Sequence, residues 1–403
     1  MAMELTAGTE AGRALVATAE RLAEELAGRA PAHDRDGSYP FESIEALRRA
    51  GYFAAPVPRV LGGLDVGSVH DVIVASGRLA RGDASVAIGV NMHLVVVLNL
   101  ARRWQMARAT GNERRERAFA GSLRAIAGGD VVIAAAMSEP GQDLTRPSTT
   151  AVRTTNGWRI DGRKIFCTMA PAATVLLTSV RFRADDGSER YGYVEIPAGA
   201  SGVRINNDWD ALGMRASGSH SVTFESVELP ASALRGGFPT GESAPYVERN
   251  LPSGLFHASA SLGIAEAAFA NAIVKQRVGD DARARMLVAE SVIDLATSRA
   301  VISRAAALID EYHAANPTGA GTDEEIIALF AEGLAAKTFV NDAATRVVDR
   351  ALALSGGAGY LNGSPLARAY RDVRAGAFMH PLGANRAYEF LGDIALGRES
   401  ALH

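Results

Sequence analysis

The stretch RDVRAGAFMHPLGANRAYEF, residues 371–390, sets one histidine, His380, directly before a helix-breaking proline, Pro381. Imidazole changes charge near neutral pH, so a ring at such a kink can accept a proton or donate a hydrogen bond. A second histidine, His93, sits in the apolar run GVNMHLVVVLN. A lone histidine on an apolar face is more often packed in a core, but His93 is kept as a catalytic candidate. What the chain lacks narrows the chemistry. Its one cysteine, Cys167, leaves no disulfide and no cysteine cage for a metal. The eight histidines are scattered without an H-E-x-x-H pair, so no metal centre is expected. There is no G-x-G-x-x-G and no G-x-x-x-x-G-K-[ST], so a Rossmann nicotinamide site is not expected either.

These residues sit in a chain whose texture changes twice. Residues 1–129 read as helices: Leu15, Ala19, Leu22 and Leu26 form one apolar stripe, and Asp83 or Ser85 is placed to cap a later helix. Residues 130–240 read as short strands, with hairpins expected around Asn156–Gly157 and Asp186–Gly187. Several short strands in succession argue for an antiparallel sandwich or barrel. Residues 241–403 read as helices again, one opening with the capping box of Thr322 and Glu325 and ending at Gly356. The expected class is α+β, in three packed units sharing a large core. A net charge of −3 implies no basic face, so nucleic acid is not an expected partner. The N-terminus lacks a basic-then-apolar signal. The apolar runs SVAIGV and HLVVVLNLA each look too short to span a bilayer. The expectation is a cytoplasmic protein with no membrane partner. The alanine-rich C-terminal helices carry more apolar face than one bundle needs, which suggests an oligomer.

Four ordered stretches carry a family resemblance. They are LRRAGYFAAPVPRVLGGLDVG, then MSEPG (137–141) followed by FCT (166–168), then DWDALGMRASGSHSVTFESVELP, then ALSGGAGYLNGSPLARAYRDVRAG. Together they resemble the acyl-CoA dehydrogenase superfamily over nearly the whole chain. The resemblance implies a helical N-terminal domain, a middle antiparallel β-barrel domain and a C-terminal four-helix bundle, assembled as a homotetramer. It also implies a flavin between the β-domain and the bundle. A flavin ring needs an apolar face and polar partners along one edge. Met137 and Ser138, with Thr168, would meet the edge and Phe166 the face, with Gly356 and Gly357 of the glycine-rich turn also at the cofactor. The resemblance makes Ser138 catalytic as well as cofactor-binding. Asn385 would reach flavin or substrate. Arg249 is a candidate for flavin phosphate and Arg215 for a substrate diphosphate, because a planar guanidinium binds phosphate bidentately.

Two departures from the dehydrogenase pattern redirect the activity. Those enzymes place a catalytic glutamate nine residues after the first arginine of R-D-x-[RK]. Counted from Arg371, that position holds His380. The adenylate motif R-x-x-F-G is reduced to Arg277 in VKQRVGDDARARM, and Ala353 replaces the glutamine of Q-x-x-G-G. FMN, or a loosely held FAD, is therefore expected, supplied reduced. The whole chain is most similar to the nucleotide-sugar N-oxygenases (nitrososynthases). That similarity implies reduced flavin and O2 oxidising the amine of a dTDP-linked 3-amino deoxy sugar to hydroxylamine and nitroso, in antibiotic deoxysugar biosynthesis. It also implies a separate NAD(P)H-dependent flavin reductase. An aromatic or heteroaromatic monooxygenase of the same fold, and an acyl-CoA dehydrogenase, are the alternatives.

Overall fold

The structure, a computed structural model, describes residues 4–141, 143–234, 237–275, 281–398 and 402. Five helices come first: α1 (Glu10–Asp36), α2 (Phe41–Arg49), α3 (Val69–Ala80), α4 (Ala84–Ala109) and α5 (Glu113–Ala127). Their limits follow local chemistry. Asp83 caps α4 by accepting from the backbone N–H groups of Ser85 and Val86, and Gly51, at φ 70, lies beyond the end of α2. The α1 stripe of Leu15, Ala19, Leu22 and Leu26 is fully buried. SVAIGV and HLVVVLNLA, read separately above, join into α4. That helix is long and apolar enough to cross a membrane, but 78% of its most apolar window is buried inside the protein. It is a central core helix, as the two apolar runs suggest; only the expectation that no apolar run is long enough to span a bilayer is corrected.

Eight strands follow: β1 (Ile133–Ala136), β2 (Thr150–Thr154), β3 (Gly157–Cys167), β4 (Val175–Arg183), β5 (Glu189–Pro197), β6 (Val203–Ile205), β7 (His220–Pro230) and β8 (Phe238–Pro239). The sheet runs β6-β7-β3-β2-β4-β5-β8, with β1 beside β4. Most pairings are antiparallel, but β1 and β2 each pair with β4 in parallel, because the chain crosses over between them. The first hairpin turns one residue earlier than the sequence suggests. Thr154 pairs with Gly157, leaving Thr155 and Asn156 as the turn. Gly157 has another job: a Cβ there would lie 2.1 Å from the Leu229 carbonyl of β7. Asp186 and Gly187 lie in the β4–β5 turn, with Gly187 at φ 81.

The remaining helices are α6 (Ala244–Asn250), α7 (Ser253–Lys275), α8 (Ala282–Ala315), α9 (Asp323–Ser355), α10 (Gly357–Tyr360), α11 (Pro365–Val373) and α12 (Ala384–Ala395). The Thr322–Glu325 capping box is present at the start of α9. Helices α7, α8 and α9 pack on one another, and α11 and α12 pack on α9. A 3-10 turn (Arg374–Phe378) and an irregular stretch carry the chain from α11 to α12. His380 lies in that irregular stretch, so the ring sits where the helical texture is interrupted. Arg277 lies outside the described residues.

Candidate active site

A cavity of about 440 Å³ separates the sheet from the helical bundle. One wall is built by β1, β3 and the loop after each. Met137, Ser138, Phe166 and Thr168 all line it, as the sequence suggested. Their placement rests on Glu139, whose carboxylate accepts from the backbone N–H and hydroxyl of Ser148 and of Thr149, and from the Lys164 ammonium at 2.7 Å. Burial pushes Glu139 up, but Lys164 and these donors outweigh it and hold the carboxyl down at about 2. Lys164 also reaches the Met137 carbonyl at 3.4 Å, and Ile165 donates its N–H to the Ser138 carbonyl at 2.9 Å. The buried ion pair thus fixes the 137–139 turn against β3.

Phe166 owes its exposure to strain. It adopts φ 54, the left-handed region that costs a non-glycine residue roughly 1–2 kcal/mol. The strain falls where β3 slips register against β7, between Lys164 and Cys167. The slip leaves the ring 59% exposed and edge-on to Trp209, with centroids 6.0 Å apart. Met214, at φ 52, lines the same cavity. Beside Phe166, Thr168 belongs to a buried hydroxyl chain: Thr168 to Ser219 at 3.0 Å and Ser219 to Ser217 at 2.7 Å.

The opposite wall comes from α6, α7 and the stretch after α11. His380 lines it, with its Nε2 2.7 Å from the Tyr246 hydroxyl. Burial, helped by the Lys337 charge, lowers His380 to about 3. The ring is therefore neutral at physiological pH, and one nitrogen donates while the other accepts. Lys337 of α9 is buried and donates to the carbonyls of Met379 (2.5 Å) and Leu382 (2.7 Å), on either side of His380. Burial lowers its ammonium to about 7. Gly254 of α7 lets this loop come close: a Cβ there would sit 3.3 Å from Lys337 Cδ and 3.5 Å from Pro381 Cδ. Gly376 is equally crowded, since a Cβ would lie 2.4 Å from Asn341 Oδ1 and 2.6 Å from Ser261 Oγ.

Arg249 also lines the cavity. Its guanidinium lies over the Tyr193 ring at 4.5 Å, and its buried Nε has no protein partner. The other sequence candidates lie elsewhere. His93 is held by structure, its Nε2 bonding the Phe53 carbonyl (3.1 Å) and its Nδ1 accepting from the Ile133 N–H (3.0 Å). Gly356 and Gly357 are exposed at the end of α9, and Asn385 is exposed on α12; none lines the cavity. Arg215 bonds the Asp34 carbonyl and the Asp210 carboxylate, and lines a second groove of about 980 Å³ that meets the cavity at Ala211, Leu212 and Arg371. Arg371 is itself ion-paired with Asp34. Sequence reasoning missed Tyr246, Lys337, Ser219, Arg374 and His257. Only Arg374, the last residue of R-D-V-R, carried a signal.

The site suits a flavin. A space between a strained aromatic ring with neighbouring hydroxyls on one wall and the neutral His380–Tyr246 pair on the other suits a flat heterocycle, and the orphaned Arg249 Nε fits an anion. The cavity lining holds Arg249, Arg371, Arg374, His257 and His380 but, among the described residues, no carboxylate and no lysine. None of these described side chains would serve a bound amine as counter-ion.

Comparison with known proteins agrees with the fold. The acyl-CoA dehydrogenase N-terminal, middle and C-terminal domain models match residues 9–108, 134–227 and 255–381. The chain belongs to the acyl-CoA dehydrogenase family. Within that family its relatives include amino sugar nitrososynthases. It is 33% identical to amino sugar nitrososynthase DnmZ of Streptomyces peucetius, over 97% of this chain and 95% of that one. It is 34% identical to L-evernosamine nitrososynthase of a Micromonospora species, over 96% and 91%. The solved structure of KijD3 in complex with FMN and dTDP-3-amino-2,3,6-trideoxy-4-keto-3-methyl-D-glucose superposes with a TM-score of 0.88 at 32% identity, covering 98% of this chain and 96% of that one.

Proposed function

We propose that this protein is a flavin-dependent N-oxygenase acting on the 3-amino group of a dTDP-linked deoxy sugar, with FMN as the flavin. The observation that carries the reading is the composition of the cavity wall. Removing an α-proton from a thioester needs a carboxylate base, and this cavity offers none among the described residues. Oxygenating an amine needs an unprotonated nitrogen, and a carboxylate-free cavity lined by arginines favours that form. The nitrososynthase relatives and the amino-sugar complex of KijD3 support the same substrate class.

When bound in its reduced form, FMN supplies two electrons and activates O2. Overall, amine, O2, two electrons and two protons give hydroxylamine and water. A second round on the same nitrogen, with loss of a further water, gives the nitroso sugar. Met137, Ser138, Phe166 and Thr168 would hold the flavin against the sheet, and Arg249 would take a phosphate. His380 works as a neutral group. If Tyr246 donates to Nε2, then Nδ1 carries the hydrogen and donates. If the proton moves to Nε2, Nδ1 accepts. In either tautomer the neutral ring offers the cavity a donor or an acceptor, and each proton the pair gives must be returned in the same step, because a net loss or gain would leave it charged.

The wider reading is a cytoplasmic enzyme with units at 1–129, 130–240 and 241–403, fed by a separate flavin reductase. Met286, Val292 and Ile293 expose apolar surface along α8, which supports a homotetramer, checkable by light scattering. The functional test is incubation with chemically reduced FMN, O2 and dTDP-3-amino-2,3,6-trideoxy-4-keto-3-methyl-D-glucose, followed by mass spectrometry. Hydroxylamine and nitroso products are expected. Unchanged amine, with acyl-CoA oxidised in a parallel dye assay, would overturn the reading.

A further inference from the structure

His257 is a buried titratable group that the proposed chemistry leaves unused. It is 3% exposed, on α7 one turn after Ser253, and both residues line the cavity. Its Nδ1 and Nε2 are both buried and neither has a hydrogen-bond partner in the protein. Two unsatisfied polar atoms on one buried ring are costly, because each has lost water and gained no partner. His93, equally buried, has both nitrogens satisfied by backbone. The contrast marks His257 as a ring prepared for something the cavity receives.

The groups that face it say what that is. Lys337 on α9 is its charged neighbour and disfavours added positive charge, while His380 on the adjoining loop is neutral. Tyr246 on α6 is engaged with His380. Burial and the Lys337 charge keep the His257 ring neutral, with one acceptor and one donor nitrogen. A neutral primary amine offers hydrogens and a lone pair, and it matches both. An ammonium would meet Lys337 with no carboxylate to offset it.

We propose that His257 is a substrate-contacting residue whose ring accepts a hydrogen bond from the neutral amine, so that the cavity selects the unprotonated sugar amine. This inference rests on the N-oxygenase reading. It differs from the role given to His380: His257 binds the nitrogen, while His380 and Tyr246 serve proton movement.

The test is calorimetric binding to the full-length chain. The probes are dTDP, dTDP-3-amino-2,3,6-trideoxy-4-keto-3-methyl-D-glucose and FMN, each against wild type, His257→Leu and His257→Gln. In His257→Leu, dTDP and FMN affinities should stay within about twofold while amino-sugar affinity falls roughly tenfold, the size of one lost hydrogen bond. His257→Gln, which keeps an acceptor, should recover part of the loss. The melting temperature of His257→Leu should not drop, because an apolar group replaces an unpartnered polar one; a structural histidine would lower it. Unchanged amino-sugar affinity in His257→Leu overturns the inference. So does a loss of FMN binding, which would assign the ring to the flavin. A wild type that gains nothing from the amino sugar over dTDP sinks the N-oxygenase reading itself, and the inference with it.

Discussion

Replacing His380 with Asn separates chemistry from binding. Asparagine keeps a hydrogen-bonding group but loses the ring that pairs with Tyr246 at 2.7 Å. Because burial and Lys337 hold His380 near 3, the ring is neutral at every pH from about 5 to 8, and its charge is not what the reaction uses. The loss is then that of one oriented donor in a dry site, roughly 100- to 1000-fold in kcat. Nothing in the wall of Ser138, Phe166 and Thr168 changes, so reduced FMN should bind as in wild type. Hydrogen peroxide released per NADPH in a reductase-coupled assay should rise as productive oxygenation falls. The kcat profile should show no inflection near 6.5 that disappears in the variant, since a folded-state value near 3 moves any His380 titration far below that range. Stability should drop by about 1–3 kcal/mol if the Tyr246 hydroxyl is left unpartnered. Wild-type oxygenation by His380→Asn, or loss of FMN with unfolding, would show that His380 is structural. A wild-type inflection near 6.5 absent from the variant would refute the neutral-ring argument.

Glu139→Gln should cost about 3–5 kcal/mol, because it strands the buried Lys164 ammonium; the urea midpoint measures it, and an unchanged midpoint would remove Glu139 as the clamp of the 137–139 turn. Since Glu139 is held near 2, below its ordinary 4.5, its stabilisation is complete above pH 4.5 and disappears as pH falls toward 2. Lys337 has the opposite sense. Its ammonium is held at about 7, below 10.5, so burial of the charge opposes folding below pH 7 and the penalty fades as pH rises to 10.5. That gap is worth at most roughly 5 kcal/mol, part of it returned by the two carbonyl bonds. Thermal melts of Lys337→Met should lack the gain that wild type shows between pH 7 and 10, while its kcat falls through misplacement of His380; parallel melting curves would contradict this. NADPH alone should not drive turnover, and an added flavin reductase should restore it. NADPH oxidation by the purified chain without reductase would count against the two-component arrangement.

Much of the fold was legible because its elements obey short-range rules. The α1 stripe, the Asp83 cap and the Thr322–Glu325 box are decided within a few residues, and each stands where the sequence put it. The exceptions are long-range. Gly157 looked like a turn residue, yet the close approach of β7 is what requires a glycine there. The parallel pairing of β1 with β4 joins segments far apart in sequence. The site divides in the same way. Ser138, Phe166 and Thr168 belong to contiguous motifs and meet at the cavity. The histidines show the limit most clearly. His93 and His257 are both single imidazoles in apolar helical runs, GVNMHLVVV and SGLFHASAS. One is tied to two backbone groups and the other faces the cavity with none. What tells them apart is tertiary: backbone of Phe53 and Ile133 closes on His93, while α7 meets the His380 loop at Gly254 and leaves His257 on the cavity.

The buried lysine explains why position 380 and its surroundings form one unit. Lys337 spends its hydrogens on the carbonyls of Met379 and Leu382, and its charge helps keep both His257 and His380 neutral. A carboxylate at position 380 would instead attract that ammonium. The resulting ion pair would compete with the two carbonyl bonds that shape the loop, and the loop would lose its support. A neutral imidazole avoids the competition: it leaves Lys337 bound to backbone and takes its own partner from Tyr246. The absence of a carboxylate among the described residues of the cavity lining is therefore coupled to the lysine behind it. A cavity built for an uncharged amine needs a uniformly non-acidic wall, and here the group that positions His380 also disfavours protonation of whatever sits in front of it.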